Sequence, residues 1–396
     1  MRTNELMRIL LLADLRSAHT KKWAEVLAGS GIEVHVFGLT TATETFRGVT
    51  LHEGLVSSEI SGGGEGSFGK LGYLKELGRL KRLIRSINPD IVHAHYATSY
   101  GLLGALSRFR PFALSVWGSD VVSFPKKSPA HRAVVRFVLN RADVLFSTSE
   151  FMARVAGELT SKRFVITPFG VELSSEWRVA SGEGGLEVSG ERSEVSDVIR
   201  GELRVASSEI KIGCVKTVAE MYGQDVLIRA FAGVVRELEG VSLSLVMVGG
   251  GDGIPEFKKL AKELGVGERV TFTGYVPNDR IMEIHRGFDI EVYPTKVEET
   301  FGVSVVEAMS LGVPCIVSKT GGLQDVVEDG VSGFHVPVGD VDAIKTKLIE
   351  LIRDPELRKK VGVAARKRVA EHYDLKQNAA IMIREYEKLL IEKNHI

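Results

Sequence analysis

Two carboxylates, Glu299 and Glu307, stand with seven residues between them in the stretch YPTKVEETFGVSVVEAMSLGVPCIVSKTGG, residues 293–322. Thr300-Phe301-Gly302 reads as a turn, and Val303, Val306, Ala308 and Met309 follow at helical spacing. Glu299 therefore falls just before a helix N-terminus and Glu307 about two turns into the helix. The first amides of a helix have no intrahelical acceptor and favour an anion. A carboxylate on each side of such a cradle suits a ligand with phosphate in its middle and hydroxyls at both ends. A nucleotide-sugar is a ligand of that kind.

The elements that must position this pair form two similar runs. Residues 7–13 are continuously apolar, as in a strand buried on both faces, residues 19–30 have helical spacing, and 33–37 is the next strand. This is β-α-β within about 30 residues, the opening of a doubly wound parallel sheet. The turn at 14–20 has no Gly-x-Gly fingerprint, which disfavours a dinucleotide oxidoreductase. Further strands are expected at 91–94, 112–117, 144–148 and 164–167. The first domain then spans 1–170. Residues 171–208, with SGEGGLEVSGERSEVS, read as a linker carrying a polar insertion, and 57–68 as a Gly/Ser-rich loop. The rhythm restarts with strands at 210–215, 242–248, 270–273, 290–293, 314–317 and 333–336, giving a second domain over 209–375. A last helix, 376–396, is long enough to cross back to the first domain.

Composition narrows the class. Of 396 residues, 44% are hydrophobic and 26% charged, as in a soluble globular protein, and no window has the about 18 apolar residues of a membrane span. The N-terminus lacks signal-peptide architecture, and the two cysteines, Cys214 and Cys315, sit in apolar runs as core residues of a reducing compartment; a cytoplasmic location is expected. No Cys/His cluster has metal-ligand spacing. Net charge is zero, but residues 1–168 carry 22 Lys/Arg against 14 Asp/Glu. The 71–87 stretch combines a Leu/Ile stripe with Lys75, Arg79, Lys81, Arg82 and Arg85. It reads as a helix on the sheet or as one that also meets anionic lipid. No aromatic-interleaved basic pattern points to nucleic acid.

The stretch EETFGVSVVEAMSLGVPCIVSKTGG resembles the E-x7-E signature of retaining GT-B glycosyltransferases, group 1 and family 4-like. VHAHYATSYGLLGA, GSD after a strand, TPFGVE, VMVGGGD and TFTGYVP are similar to other family segments and arrive in the family's order. The resemblance implies an α/β GT-B fold, two Rossmann-like doubly wound domains facing a central cleft. It further implies that Glu299 binds hydroxyls of the donor sugar, that the amides of Thr300, Phe301, Gly302 and Val303 hold sugar and diphosphate, and that Glu307 accepts from the ribose hydroxyls. Gly274, Tyr275 and Val276 would meet the base. His19, His95, Tyr96 and Trp117 would line the acceptor side. Asp120 is open between a catalytic-side acceptor and a helix N-cap.

Three positions depart from the family pattern. Lys216 can serve as the first phosphate cation, but Met221-Tyr222 stands where a second, Lys, is expected. Arg16, Lys21, Lys22 and Lys296 are candidate replacements. Ser17-Ala18-His19 occupies a turn where the family has Gly-Gly, and Trp117 stands where many members have His. The implied reaction moves a hexosyl or N-acetylhexosaminyl unit from a nucleoside diphosphate sugar, UDP by family frequency, to a saccharide or lipid-linked hydroxyl with retention. Cell-surface polysaccharide or glycolipid assembly is the implied setting. No metal or other cofactor is expected, since cations and helix-terminal amides would neutralise the diphosphate. The competing readings are an epimerase or hydrolase of the same plan, and a nucleotide-sugar-binding partner without turnover.

Overall fold

The computed structural model describes residues 6–54, 68–173 and 209–394. Of the loop predicted over 57–68 only Phe68 is among the described residues, and of the linker predicted over 171–208 only 171–173. The chain divides into two compact units, Met1–Phe169 with Leu375–Ile396, and Gly170–Asp374.

The first unit is built on seven parallel strands in the order β3-β2-β1-β4-β5-β6-β7. They are β1 (Arg8–Leu12), β2 (Glu33–Phe37), β3 (Val49–His52), β4 (Ile91–His95), β5 (Phe112–Val116), β6 (Val144–Ser147) and β7 (Phe164–Ile166). Every residue of β4 and β5 is buried, because helices cover both faces of a parallel sheet. The edge strand β3 is absent from the sequence expectation. It is four residues long and nowhere fully buried, so it has no apolar run to announce it.

The second unit holds six parallel strands in the order β10-β9-β8-β11-β12-β13. They are β8 (Glu209–Val215), β9 (Ser242–Val248), β10 (Val270–Phe272), β11 (Ile290–Tyr293), β12 (Cys315–Ser318) and β13 (Phe334–Val336). The helices Val341–Arg353 and Pro355–His372 follow. Strand order reverses between β1 and β4 in one unit and between β8 and β11 in the other. At such a reversal the two following loops diverge to opposite faces and leave a crevice at the strand C-termini. The segments carrying Lys216 and Glu299 follow β8 and β11, the pair that flanks the second unit's crevice.

The closing helix, Leu375–Asn394, belongs to the first unit. Its Tyr386 is fully buried, with its hydroxyl 2.5 Å from His93 Nδ1, and Asn378 donates to the Pro168 carbonyl at 3.1 Å. A turn earlier in the chain, Val171 N–H donates to the Tyr373 carbonyl at 3.0 Å within the second unit.

Candidate active site

In the second unit, Lys216 Nζ lies 2.7 Å from a Glu299 carboxylate oxygen. The same ammonium stands 4.6 Å above the Tyr222 ring. Tyr222 thus occupies the place expected for a second cation and instead offers its π face to the first. Lys296, a candidate replacement, is 2.9 Å from the Asp225 carboxylate, and its N–H donates to the Met221 carbonyl at 3.0 Å. That pairing ties the segment after β11 to the loop after β8 and leaves Lys296 already neutralised.

The loop between Glu299 and the helix Val303–Ser310 is held from beneath. Gly322 N–H donates to the Glu299 carbonyl at 2.7 Å. A Cβ on Gly321 would come within 2.2 Å of that carbonyl oxygen, and one on Gly322 within 2.6 Å of the Thr300 oxygen. The Gly-Gly pair is therefore needed for close approach of two backbones. Gly302 turns the chain into the helix at φ 110°, and Val306 N–H donates back to its carbonyl at 3.1 Å. Phe301 points inward, 3% exposed, with its ring edge-on to Tyr373 at 5.6 Å. Thr300, Gly302 and Val303 are half-buried.

Glu307, on the same helix, keeps 12% of its side chain exposed. Behind it lies a cluster that sequence reasoning missed. His285, on the helix Asn278–Arg286, is fully buried, with Nδ1 2.7 Å from Glu291 Oε1 and Nε2 3.8 Å from Glu307 Oε2. Glu291, also fully buried, lies inside β11 and accepts from the Tyr293 hydroxyl at 2.6 Å. Burial pulls the His285 pKa down, but Glu291 and Glu307 outweigh it and push it up to about 9. The imidazole is therefore charged at neutral pH. The signal was present in the sequence: a Glu between Ile290 and Val292 is out of place in a fully buried parallel strand unless it has a partner. On either side of β11, Cys214 in β8 and Cys315 in β12 are free buried thiols, with Cys214 pushed up to about 12 by burial and then by Glu291.

Gly274, at φ 71°, accepts from Gly249 N–H at 3.2 Å, which places the Tyr275 segment beside the turn after β9. Tyr275 is 80% exposed, although its ring is large and apolar, and Val276 is half-buried.

In the first unit the structure separates the predicted residues by role. Asp120 is fully buried, within the short helix Ser119–Val122. Its carboxylate accepts from Ala97 N–H at 2.7 Å, Gly118 N–H at 2.8 Å and Trp117 N–H at 3.3 Å. Burial pushes its pKa up to about 6 against those hydrogen bonds. Asp120 thus splices the loop after β4 to the loop after β5. That corrects the capping reading, since Gly118 and not Asp120 holds the capping position, while the carboxylate read as an acceptor-side group has no exposed surface and is engaged by three amides.

His95 is 2% exposed, and neither ring nitrogen has a hydrogen-bond partner among the described residues; burial pulls its pKa down to about 3. It packs against Trp117 at 4.4 Å, and His19 stacks on Phe169 at 4.3 Å, with Trp117 edge-on to Phe169 at 5.1 Å. Tyr96 sits at φ 85°, with its hydroxyl hydrogen-bonded to Ser119. The first turn of the helix Ala18–Gly29, the end of β4 and the loops after β5 and β7 thereby meet in one aromatic cluster. Arg16 and Lys21 have carboxylate partners in their own unit, Asp14 and Glu44.

Two family models match in succession. Glycosyl transferase 4-like covers residues 8–149, and Glycosyl transferases group 1 covers residues 195–368. The chain belongs to the group 1, 4-like glycosyltransferases, with the GT-B fold. Among its relatives, N-acetyl-alpha-D-glucosaminyl L-malate synthase of Bacillus anthracis is 26% identical over 72% of this chain and 71% of the relative. GDP-mannose-dependent alpha-(1-6)-phosphatidylinositol monomannoside mannosyltransferase of Mycolicibacterium smegmatis is 29% identical over 73% of this chain and 74% of the relative. Among solved structures, Anabaena HepE in complex with UDP and glucose superposes with a TM-score of 0.72 at 19% identity, covering 96% of this glycosyltransferase and all of the other chain.

Proposed function

We propose that this glycosyltransferase moves a hexosyl or N-acetylhexosaminyl unit from a nucleoside diphosphate sugar to an acceptor hydroxyl with retention of configuration. The observation that carries the reading is the Lys216–Glu299 pair at the mouth of the Val303–Ser310 helix. Donor binding exchanges partners: Lys216 and the helix-terminal amides take the diphosphate, and Glu299 takes the sugar hydroxyls. In the reaction the bond from the anomeric carbon to the β-phosphate oxygen breaks. The acceptor oxygen attacks on the same face, and its proton passes to the departing phosphate. The protein orients the partners and stabilises charge on the leaving group, with no protein nucleophile and no metal required.

The base is the open variable. HepE was solved with UDP, whereas the mycobacterial relative is named for GDP-mannose. UDP-sugars head the candidates, and a thermal-shift screen of UDP-, GDP- and ADP-sugars reads the choice directly, because binding to the native state raises apparent stability. Glu299→Ala is expected to abolish transfer while leaving the melting temperature of the free protein within a few degrees. Near-normal turnover in that variant, or inversion at the anomeric carbon of the product, contradicts the proposal. Among the described residues no helix is long and apolar enough to cross a membrane. A lipid-linked acceptor would be met by peripheral contact at the cytoplasmic face, through the basic helix Leu77–Ile87.

A further inference from the structure

We propose that His285 is a positioning residue for nucleotide recognition: anchored on buried Glu291, it holds the Glu307 carboxylate in the orientation that accepts the ribose hydroxyls. The inference rests on the donor-side reading of Glu307 given above and extends it to a residue outside the family signature.

The geometry is a relay of three elements. β11 contributes Glu291 and Tyr293, which lie on one face of the strand by its period of two. The helix Asn278–Arg286 contributes His285, and the helix Val303–Ser310 contributes Glu307. Glu291 accepts from His285 Nδ1 at 2.7 Å and from the Tyr293 hydroxyl at 2.6 Å, and that hydroxyl also lies 3.0 Å from the Ser304 carbonyl. Tyr293 therefore fixes both the anchor and the first turn of Glu307's own helix. With its Nδ1 side clamped, His285 has one ring nitrogen left. It is buried without a hydrogen-bond partner, 3.8 Å from Glu307. At that separation it acts on Glu307 as an ion pair.

Burying two carboxylates and an imidazolium is costly, and a well-packed apolar set of the same volume is often as stable or more so. Set against that cost, what the group supplies here is the orientation of Glu307. A carboxylate that must accept from two vicinal hydroxyls needs its plane fixed, and groups behind a ligating side chain commonly supply that. The titratable groups facing His285 and its anchor are Glu291 and Tyr293 from β11, Glu307, Cys214 from β8 and Cys315 from β12. Burial, and then Glu291, raises both thiols, Cys315 well above its usual range. As pH rises through about 9, His285 loses its charge ahead of Tyr293, Cys214 and Cys315, which burial raises further.

The test is discrimination between ribose and 2′-deoxyribose. Dissociation constants are measured for whichever of UDP, GDP and ADP binds tightest, and for its 2′-deoxy counterpart. Parent protein is expected to favour the ribonucleotide by about tenfold, the worth of one good hydrogen bond to a charged acceptor. In His285→Gln that ratio is expected to fall toward one, with donor KM raised and kcat changed less. In the parent the ratio should also fall as pH rises through about 9; ionisation of the base, the phosphates or Lys216 affects both nucleotides alike and cancels. The pH series needs no variant, so it decides even if His285→Gln does not fold. A ratio unchanged in His285→Gln and across pH, while Glu307→Gln abolishes discrimination, overturns the role of His285 and leaves the reading of Glu307 standing. A ratio unchanged in Glu307→Gln, or no binding of any of the three diphosphates, overturns both.

Discussion

At the residue scale, the chemistry turns on which charges are buried and what faces them. Lys216 is partly exposed and paired with Glu299, so it can exchange that partner for phosphate without leaving an uncompensated buried charge. His285 cannot do this, and its charge is tied to the fold. Its pKa rises from about 6.5 unfolded to about 9 folded, so the folded state binds the proton more tightly. Its contribution to stability is complete below about pH 6.5, fades as pH rises toward 9 and is gone above that. Urea denaturation of the parent is therefore expected to show stability falling between pH 6.5 and 9 more steeply than in His285→Gln. Parallel pH profiles for the two proteins would count against a charged His285 in the native core.

At the element scale, the Glu299–Gly302 loop owes its shape to the turn that follows β12. Gly321→Ala puts a methyl group into the Glu299 carbonyl at a backbone φ of 52°. The loop must shift, at a cost of about 1–3 kcal/mol in stability. Donor affinity is expected to fall about tenfold or more, since Glu299 and the helix-terminal amides move with it. Gly330→Ala is the control: its φ is 73°, but nothing lies within 4 Å of an added Cβ, so it carries backbone strain without displacing the loop. Comparable donor binding in both variants would show that the close approach does not set the site.

Much of this organisation was legible in the sequence. The E-x7-E pair, the main-chain turn and the alternation of strand and helix follow from residue type and period, and β9 and β11 begin and end where the pattern puts them. What was not legible depends on three-dimensional partners. β3 is an edge strand without a buried face, Asp120 is turned inward by three amides from two loops, and the His285–Glu291–Glu307 relay joins residues from three elements.

At the scale of the whole molecule, the chain closes on its beginning: the helix Leu375–Asn394 returns to complete the unit that Met1–Phe169 starts. That unit also carries the basic excess. Its helix Leu77–Ile87 buries Leu80, Ile84 and Ile87, one stripe at spacings of four and three, and this fixes which cations face outward. Arg79 does not: it pairs with Glu76 at 3.3 Å, reaches the Glu53 carbonyl and lies over the Phe37 ring at 5.7 Å. Lys75, Arg82 and Arg85 are exposed and are the residues to change. Each basic residue near an anionic bilayer is worth about 1 kcal/mol. Neutralising three should weaken partitioning onto phosphatidylglycerol-containing liposomes by roughly 10²-fold, and reversing them by more. The triple variant Lys75→Glu, Arg82→Glu, Arg85→Glu is thus expected to stay in the supernatant on co-sedimentation at low salt, with donor binding in solution unchanged. The parent should be released by raising ionic strength, because exposed charges are screened within about 10 Å at 0.1 M. Equal sedimentation of parent and variant, or binding of the parent to neutral liposomes as well as to anionic ones, would remove the electrostatic basis for a membrane-bound acceptor.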